Sequence, residues 1–345
     1  MRARLRIEVS GKGGVIVGVR YSLIVPVKEL NQYLDESVPI IQQLEPTNWE
    51  LIILTDNIEN NKWNHDSRIK ILHSGKISPG GKIDLGESKS SGEILVFLDD
   101  DSYPSTNFLI KVEKSFNSHS DCVAIGGPGV TPPNSGLFER TSGAFFESIF
   151  SGSDANRYVP VGSAKYVEDW PSVNFSIQRE AFVKLGGFGS KFWPGEDTYL
   201  CNKILEDGMR IKYDPEIIMF HHRRESFKAH LIQVRGYGIH RGNFARHLGG
   251  NSNRFKFFIP SIFTIIVFSL PITLLTNIKS ATTIILMTLS LYSLSILFVS
   301  IQILKKHGFL TAFIFPLYVF SSHLAYGGSF IQGFLKKHQI LSKLR

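Results

Sequence analysis

Cysteine is nearly absent from this chain: Cys122 and Cys201 are the only two in 345 residues. Two unclustered thiols build neither a thiolate metal cage nor a disulfide framework. They fit a reducing compartment and buried apolar packing. Acidic residues are missing from one stretch in particular. Across residues 221–256, eight Lys/Arg stand against a single acid, Glu225, and the chain as a whole carries a formal charge of +8. A basic block just ahead of an apolar segment suits an anionic membrane surface, or a diphosphate lying at that surface. No nucleic-acid-binding motif accompanies it, which argues against nucleic acid as a partner. Charge of either sign then vanishes from residues 257–278 and 280–304. There is no internal repeat and no low-complexity tract. Residues 1–20 lack a continuous apolar core of the kind a signal peptide needs. Within them, Ser10-Gly11-Lys12-Gly13-Gly14 misses the G-x-x-x-x-G-K-[ST] spacing of a phosphate loop and reads as a hairpin turn.

Short apolar runs punctuate the chain from Tyr21 onward. Residues 21–27 (YSLIVPV), 50–55 (ELIILT), 68–73 (RIKILH) and 93–98 (EILVFL) read as buried strands. Residues 30–44 have helical apolar spacing, and 80–91 carry glycines and then a helix. Such alternation predicts an α/β fold with a mostly parallel sheet and helices on both faces. Ligands of such sheets sit beyond the carboxyl ends of the strands, where Asp56 and the run Asp99-Asp100-Asp101 fall. Residues 120–193, rich in Gly, Pro and aromatics, read as loops over a site. Residues 175–185 predict a strand and a helix, 197–207 a helix, and 209–220 one final strand. The two uncharged segments are long enough to cross the ~30 Å hydrocarbon layer at ~1.5 Å per residue, and predict a tight hairpin of spanning helices. Residues 308–335 are apolar first and polar later. Lys305 and Lys306 obey the positive-inside tendency if the catalytic domain is cytosolic, but Lys336, Lys337, Lys343 and Arg345 follow the third segment. That segment therefore either spans or lies in the interface. The expected organisation is an extension over 1–20, a catalytic domain over 21–250 and a multi-pass membrane domain over 251–345.

Three features carry chemistry. Consecutive carboxylates at a strand end are costly unless neutralised, so Asp99-Asp100-Asp101 is either a solvated acidic turn or a site for a hard divalent cation such as manganese or magnesium. Gly195-Glu196-Asp197 precedes a helix, where Asp197 is either an N-cap or a general base. The run Arg235-Gly236-Tyr237-Gly238-Ile239-His240-Arg241-Gly242 follows His221-His222-Arg223-Arg224. Its arginines, Arg235 and Arg241 among them, suit phosphate, or form a plain juxtamembrane patch. His221, after an apolar strand end, is either a metal or phosphate contact or a packed surface histidine.

Taken in order, LIVPVKE, ELIILTD, SSGEILVFLDDDSYP, VNFSIQREAFVKLGGF, GEDTYL and EDGMRIKYDPEIIMFHH resemble the family 2 glycosyltransferases of GT-A fold, from Tyr21 to about Gly242. The resemblance implies a nucleotide-sugar donor and an inverting single displacement. It places Pro26 and Glu29 in the nucleoside pocket, Asp56 against the base, and Asp99 and Asp100 near ribose and diphosphate. It assigns the metal to Asp101 of the D-x-D pair, a part of the sugar or acceptor pocket to Asn174, and the base role to Asp197 with Glu196 beside it. RGYGIHRG and HLAYGGSFIQG are similar to segments of succinoglycan-type exopolysaccharide glycosyltransferases, which implies a lipid-linked or membrane-associated glycan acceptor. The chain departs from the family pattern in places. Asn57-Ile58 replaces Asp-Gly-Ser after Asp56, and Ile83-Asp84 replaces Arg-Asn, with Lys82 the candidate substitute for the lost positive charge. The Q-x-x-R-W signature of processive enzymes is missing, since no Trp follows Trp193; addition of one sugar is expected. A polyprenyl-phosphate sugar synthase is the near alternative. A nucleotidyltransferase or a non-catalytic membrane scaffold is the alternative from another class.

Overall fold

The structure, a computed structural model, describes residues 20–119, 121–189 and 195–338. The expected turn at Ser10 to Gly14, Trp193, and the basic Lys343 and Arg345 lie outside them.

The first half comprises β1 (Tyr21–Pro26), α1 (Gln32–Ile41), β2 (Trp49–Thr55), β3 (Ile69–His73), α2 (Pro79–Ser88) and β4 (Ile94–Phe97). It continues through β5 (Ser102–Pro104), α3 (Phe108–Ser118), β6 (Ala124–Gly126), β7 (Gly129–Val130) and α4 (Leu137–Glu147). Then come β8 (Lys165–Val167), β9 (Phe175–Gln178), α5 (Arg179–Lys184), α6 (Glu196–Glu206), β10 (Ile211–Tyr213), β11 (Met219–His221) and α7 (Phe227–His247). The main sheet has the order β3-β2-β1-β4-β9-β6-β10-β8. Strands β3, β2, β1 and β4 are parallel, which explains their unbroken apolar runs: both faces are covered. Leu23, Leu51, Ile53 and Val96 pack with Leu34 and Val38 of α1 and with Phe108 and Val112 of α3. Ile24, Ile52, Leu95 and Phe97 pack with Ile83 of α2, Phe182 of α5 and Leu200 of α6. β9 enters antiparallel between β4 and β6.

Residues 209–220 were expected as one strand and form two. Asp214 ends the first by accepting the Glu216 amide (3.0 Å), and Pro215 brings no amide to continue the ladder. β10 stays in the main sheet, whereas β11 joins a second sheet of order β5-β11-β7. Residues 120–193, expected as loops, also hold α4 and the short β8. The basic stretch forms the 21-residue helix α7, which Ser226 caps through the Ala229 amide (3.2 Å).

Three helices, α8 (Ile259–Leu275), α9 (Lys279–His307) and α10 (Phe309–Leu335), complete the described chain. The three are long and apolar enough to cross a membrane. α10 is covered most by protein, with 39% of its most apolar stretch buried against 17% in the other two spans. Much of that cover is α7. A Cβ on Gly242 would fall on the Phe330 carbonyl, and one on Gly333 on the Ile239 carbonyl. The two backbones touch because these positions carry no side chain, as in small-residue packing between membrane helices. Polar links tie the same region together. His230, fully buried, bridges the hydroxyls of Ser142 on α4 and Ser322 on α10 at 2.8 Å each. His323 accepts from the Tyr292 hydroxyl (2.8 Å) and donates to the Phe150 carbonyl (2.7 Å). Glu147 at the end of α4 pairs with Lys306 (2.5 Å) and His307 (3.2 Å) at the end of α9.

This seam makes a prediction. Gly333→Ala should cost about 1–3 kcal/mol by overpacking and lower the melting temperature in detergent by several degrees. Gly328→Ala, whose Cβ meets nothing within 4 Å, should leave it unchanged or slightly higher. Equal midpoints for the two variants would show that the seam is loose.

Candidate active site

Leu98 ends the apolar run of β4, and Asp99, Asp100 and Asp101 leave the sheet at its carboxyl edge. The chain then turns into β5, which pairs antiparallel with β11 so that Ser102 faces His221. The His222 amide donates to the Asp101 carbonyl (2.9 Å) and locks this register. His221 Nε2 consequently sits 3.1 Å from Asp101 Oδ1 and 3.9 Å from Asp99 Oδ2. One candidate ligand atom from each of Asp99, Asp101 and His221 lies within 4.8 Å of the others. Two carboxylate oxygens and an imidazole nitrogen fit a divalent cation such as manganese. His221 therefore stands with the carboxylates and not as an isolated surface histidine. The Arg223 guanidinium, held by the Gly129 carbonyl and Thr131 Oγ1, stands 3.0 Å from Nδ1. While Nδ1 accepts from it, the ring proton is on Nε2 facing Asp101. Nε2 offers a cation its lone pair only when the proton moves to Nδ1 and this contact is given up.

The surroundings push the three carboxyls in two directions. Burial in the cleft raises Asp99, and Asp101 and Asp100 raise it further. Burial pushes Asp101 up as well, but His221 and Arg224, the latter 3.4 Å away, outweigh it and hold it low. Asp100 is raised by burial and then by Asp101, and accepts from Asn31 Nδ2 (2.6 Å). Asn31 also caps α1 through the amides of Tyr33 and Leu34.

The second carboxylate pair begins α6. Gly195 is its N-cap, at φ 118°, where a Cβ would strike the Phe244 ring. Asp197 is thus not the cap; it lies in the first turn, and its Oδ1 accepts the Thr198 amide (2.7 Å). The Thr198 hydroxyl donates to Asp169 Oδ1 (3.2 Å), and Asp169 Oδ2 accepts from Arg157 (3.2 Å). Burial raises Asp197, and the Asp169 charge adds to it. Burial also raises Glu196, followed by Asp197, and Glu196 Oε2 is buried with no hydrogen-bond partner among the described residues. A carboxylate with a raised pKa is the stronger base.

Both clusters open on one cavity of about 270 Å³. Asp99, His221, Glu196 and Asp197 line it, and so do Pro260 of α8 and Ser322, His323 and Tyr326 of α10. The cavity therefore joins the carboxylates to α8 and α10.

The other expected site residues fall in several places. Pro26 is half-buried at the end of β1, and Glu29 beyond it is exposed. Asp56 follows β2, buried and ion-paired with Lys82. Lys82, the candidate substitute for the lost positive charge, also donates to the Val27 carbonyl. α2 places it beneath the ends of β1 and β2, where its charge holds Asp56. Asn174 does not face the cavity. It is fully buried, and its Nδ2 donates to the carbonyls of Pro128 (3.1 Å) and Ile217 (2.8 Å). It braces the links into β7 and β11, while its neighbours Ser172 and Val173 line the cavity. Arg241 lines the cavity, but Arg235 lies exposed on α7 outside it. Six helical positions separate the two by about 240° around the axis. Asn31, Arg157, Asp169 and Thr198 went unread in the sequence. Only Asn31 carried a local signal there, as a cap before an apolar-periodic run.

Comparison with known proteins gives consistent results. Residues 94–320 match the family model described as glycosyl transferase family group 2. The pre-mycofactocin glycosyltransferase of Mycobacterium tuberculosis, matched in two strains, is 26% identical over 172 residues, which is 49% of this chain. The match covers 36% of the length of those curated relatives. Among solved structures, S. aureus TarS aligns with 64% of this chain and 39% of its own at 13% identity and a TM-score of 0.43. GalNAc-T7 with UDP, GalNAc and Mn2+ aligns with 67% of this chain and 50% of its own at 14% identity and a TM-score of 0.46.

Proposed function

This chain belongs to the family 2 glycosyltransferases, and from that premise we propose that it moves one sugar, with inversion, from a nucleotide-sugar to a membrane-bound, polyprenyl-linked glycan acceptor. The observation that carries the reading is the single cavity shared by Asp99, His221, Glu196, Asp197 and the membrane helices. A donor held at the carboxyl edge of the sheet and an acceptor arriving from the bilayer would meet there.

The residues divide the work. Pro26, Glu29 and Asp56 stand at the ends of β1 and β2, the side on which the nucleoside would lie, and Lys82 fixes the Asp56 carboxylate. Asp99, Asp101 and His221 would hold a manganese or magnesium ion, which supplies positive charge against the departing nucleoside diphosphate. Asp197 would take the proton from the acceptor hydroxyl, its carboxylate oriented by the Thr198 amide and its basicity raised by burial. Asp169 and Thr198 position that turn, and Asn174 positions the cavity floor. We assign residues 21–250 to catalysis and 251–345 to the membrane domain. A cytosolic catalytic domain is supported by Lys306 and His307, which meet Glu147 at its surface.

Purified protein incubated with manganese and a panel of nucleotide-sugars, with and without lipid extract, should release nucleoside diphosphate. No release under any condition, with wild type equal to Asp197→Asn, would sink the reading. Long homopolymer among the products would refute single addition.

A further inference from the structure

The cavity wall changes sign along its length. Besides the carboxylates it presents Arg157, Arg241 and Lys256. Their counter-ions stand behind the wall. Asp169 pairs with Arg157 (3.2 Å) and more distantly with Arg241 (3.9 Å), and Asp154 pairs with Lys256 (3.2 Å). Asp154 and Asp169 line an adjoining pocket, which shares Arg157, Lys256 and Phe257 with this cavity but lies on the far side of them. Arg157 and Arg241 share one carboxylate, Asp169, so this part of the lining keeps a positive excess, while Asp99, Glu196 and Asp197 make the rest of it acidic. Cations withdrawn from water favour an anion in the space they face.

The surroundings say what kind of anion. The Arg241 guanidinium lies 4.6 Å and the Lys256 ammonium 5.3 Å from the centre of the Phe257 ring, just ahead of Phe258, the N-cap of α8. Beyond Phe257 the cavity runs along Pro260 and Tyr326 at the membrane helices. A cationic wall that continues into an aromatic and apolar channel fits an anionic head on a hydrocarbon chain. Paired guanidinium groups suit the tetrahedral phosphate oxygens.

We propose that Arg157 and Arg241, with Lys256, form the subsite for the phosphate of a long-chain lipid phosphate or diphosphate. The hydrocarbon leaves past Phe257 and Pro260 toward α8 and α10. This deepens the acceptor reading above and rests on it. Both arginines act on the charge of Asp197, so a phosphate held by them brings the first sugar, or the phosphate itself, to the base.

The test uses the full chain in detergent with three probes: farnesyl phosphate, farnesol and inorganic phosphate. Binding is followed by tryptophan fluorescence, since Trp170 lies 5.8 Å from the Arg157 guanidinium. Farnesyl phosphate should bind at least about tenfold tighter than either farnesol or inorganic phosphate, as expected for one charge-assisted contact added to apolar burial. Arg157→Gln and Arg241→Gln should each weaken it about 10- to 100-fold, Arg241→Lys less, with farnesol affinity moved little. Farnesol or inorganic phosphate binding as tightly as farnesyl phosphate overturns the proposal. So do glutamine variants that melt like wild type and keep full affinity. If the variants fail to fold, the three-probe comparison on wild type decides. Nucleoside diphosphate release by wild type is measured in parallel. Release without farnesyl phosphate binding defeats the subsite alone; binding without release defeats the transfer reading alone.

Discussion

Asp197→Asn is expected to lower the turnover of sugar transfer about 100- to 10,000-fold, with little change in the Michaelis constant for the donor. The substitution keeps the shape of the side chain. The new amide oxygen can still accept the Thr198 N–H that now binds Asp197 Oδ1 at 2.7 Å. What is lost is the ability to take a proton, and with it the charge that Asp169 and burial have made more basic. Single-turnover transfer to a lipid-linked acceptor measures this directly. The same variant also reports on the nucleophile. A sugar hydroxyl needs its proton removed as it attacks, whereas a phosphate oxygen is already ionised at neutral pH. A loss smaller than about tenfold, below the range of a working general base, would identify a phosphate oxygen as the attacking atom and move Asp197 to a positioning role.

The second large effect is at Asp101. Asp101→Ala removes one of three candidate ligand groups, takes from Arg224 its carboxylate and leaves His221 only the more distant Asp99 (3.9 Å). A bound cation is worth several kcal/mol of charge stabilisation at a leaving group, so transfer should fall about a hundredfold or more at about 1.4 kcal/mol per decade. Wild type stripped with a chelator should fall comparably and recover on addition of manganese or magnesium; the variant should not recover. A chelated wild type that keeps its full rate would defeat metal dependence. His221→Gln, which keeps a polar side chain but loses the imidazole nitrogen, should shift the metal titration to higher concentration.

How legible was this in the sequence? The strands that hold the aspartates were, because a parallel strand covered on both faces must be apolar at nearly every position, as β1, β2 and β4 are. The two carboxylate clusters were legible too, since their residues are adjacent in the chain. What joins them was not. His221 reaches Asp101 only because β11 leaves the main sheet and pairs with β5, and that departure is set by a two-residue break at Asp214 and Pro215. Helix α7 was hidden for another reason. Gly238 and Gly242 serve contact with α10 and Arg241 serves the cavity, so neither face shows the apolar stripe that marks a surface helix. The partner of Lys82 was not legible: the resemblance offers this residue only as a substitute for a lost positive charge, and Asp56, with which it pairs, stands 26 residues away on another element. Arg157 and Asp169 carried no local signal at all; they meet across a loop-rich stretch.

The seam between α7 and α10 also fixes a length. With Gly242 against the Phe330 carbonyl and Gly333 against the Ile239 carbonyl, backbone rests on backbone, and no side chain lies between to yield. Arg241 sits on the same helix, one residue from Gly242. On the proposed membrane-bound acceptor, a span held this way between α10 and the cavity would make the enzyme a rigid gauge. It should sort acceptors by reach as well as by sugar identity, passing over any glycan whose reactive hydroxyl stands too far from its lipid anchor, however well the sugar itself would fit.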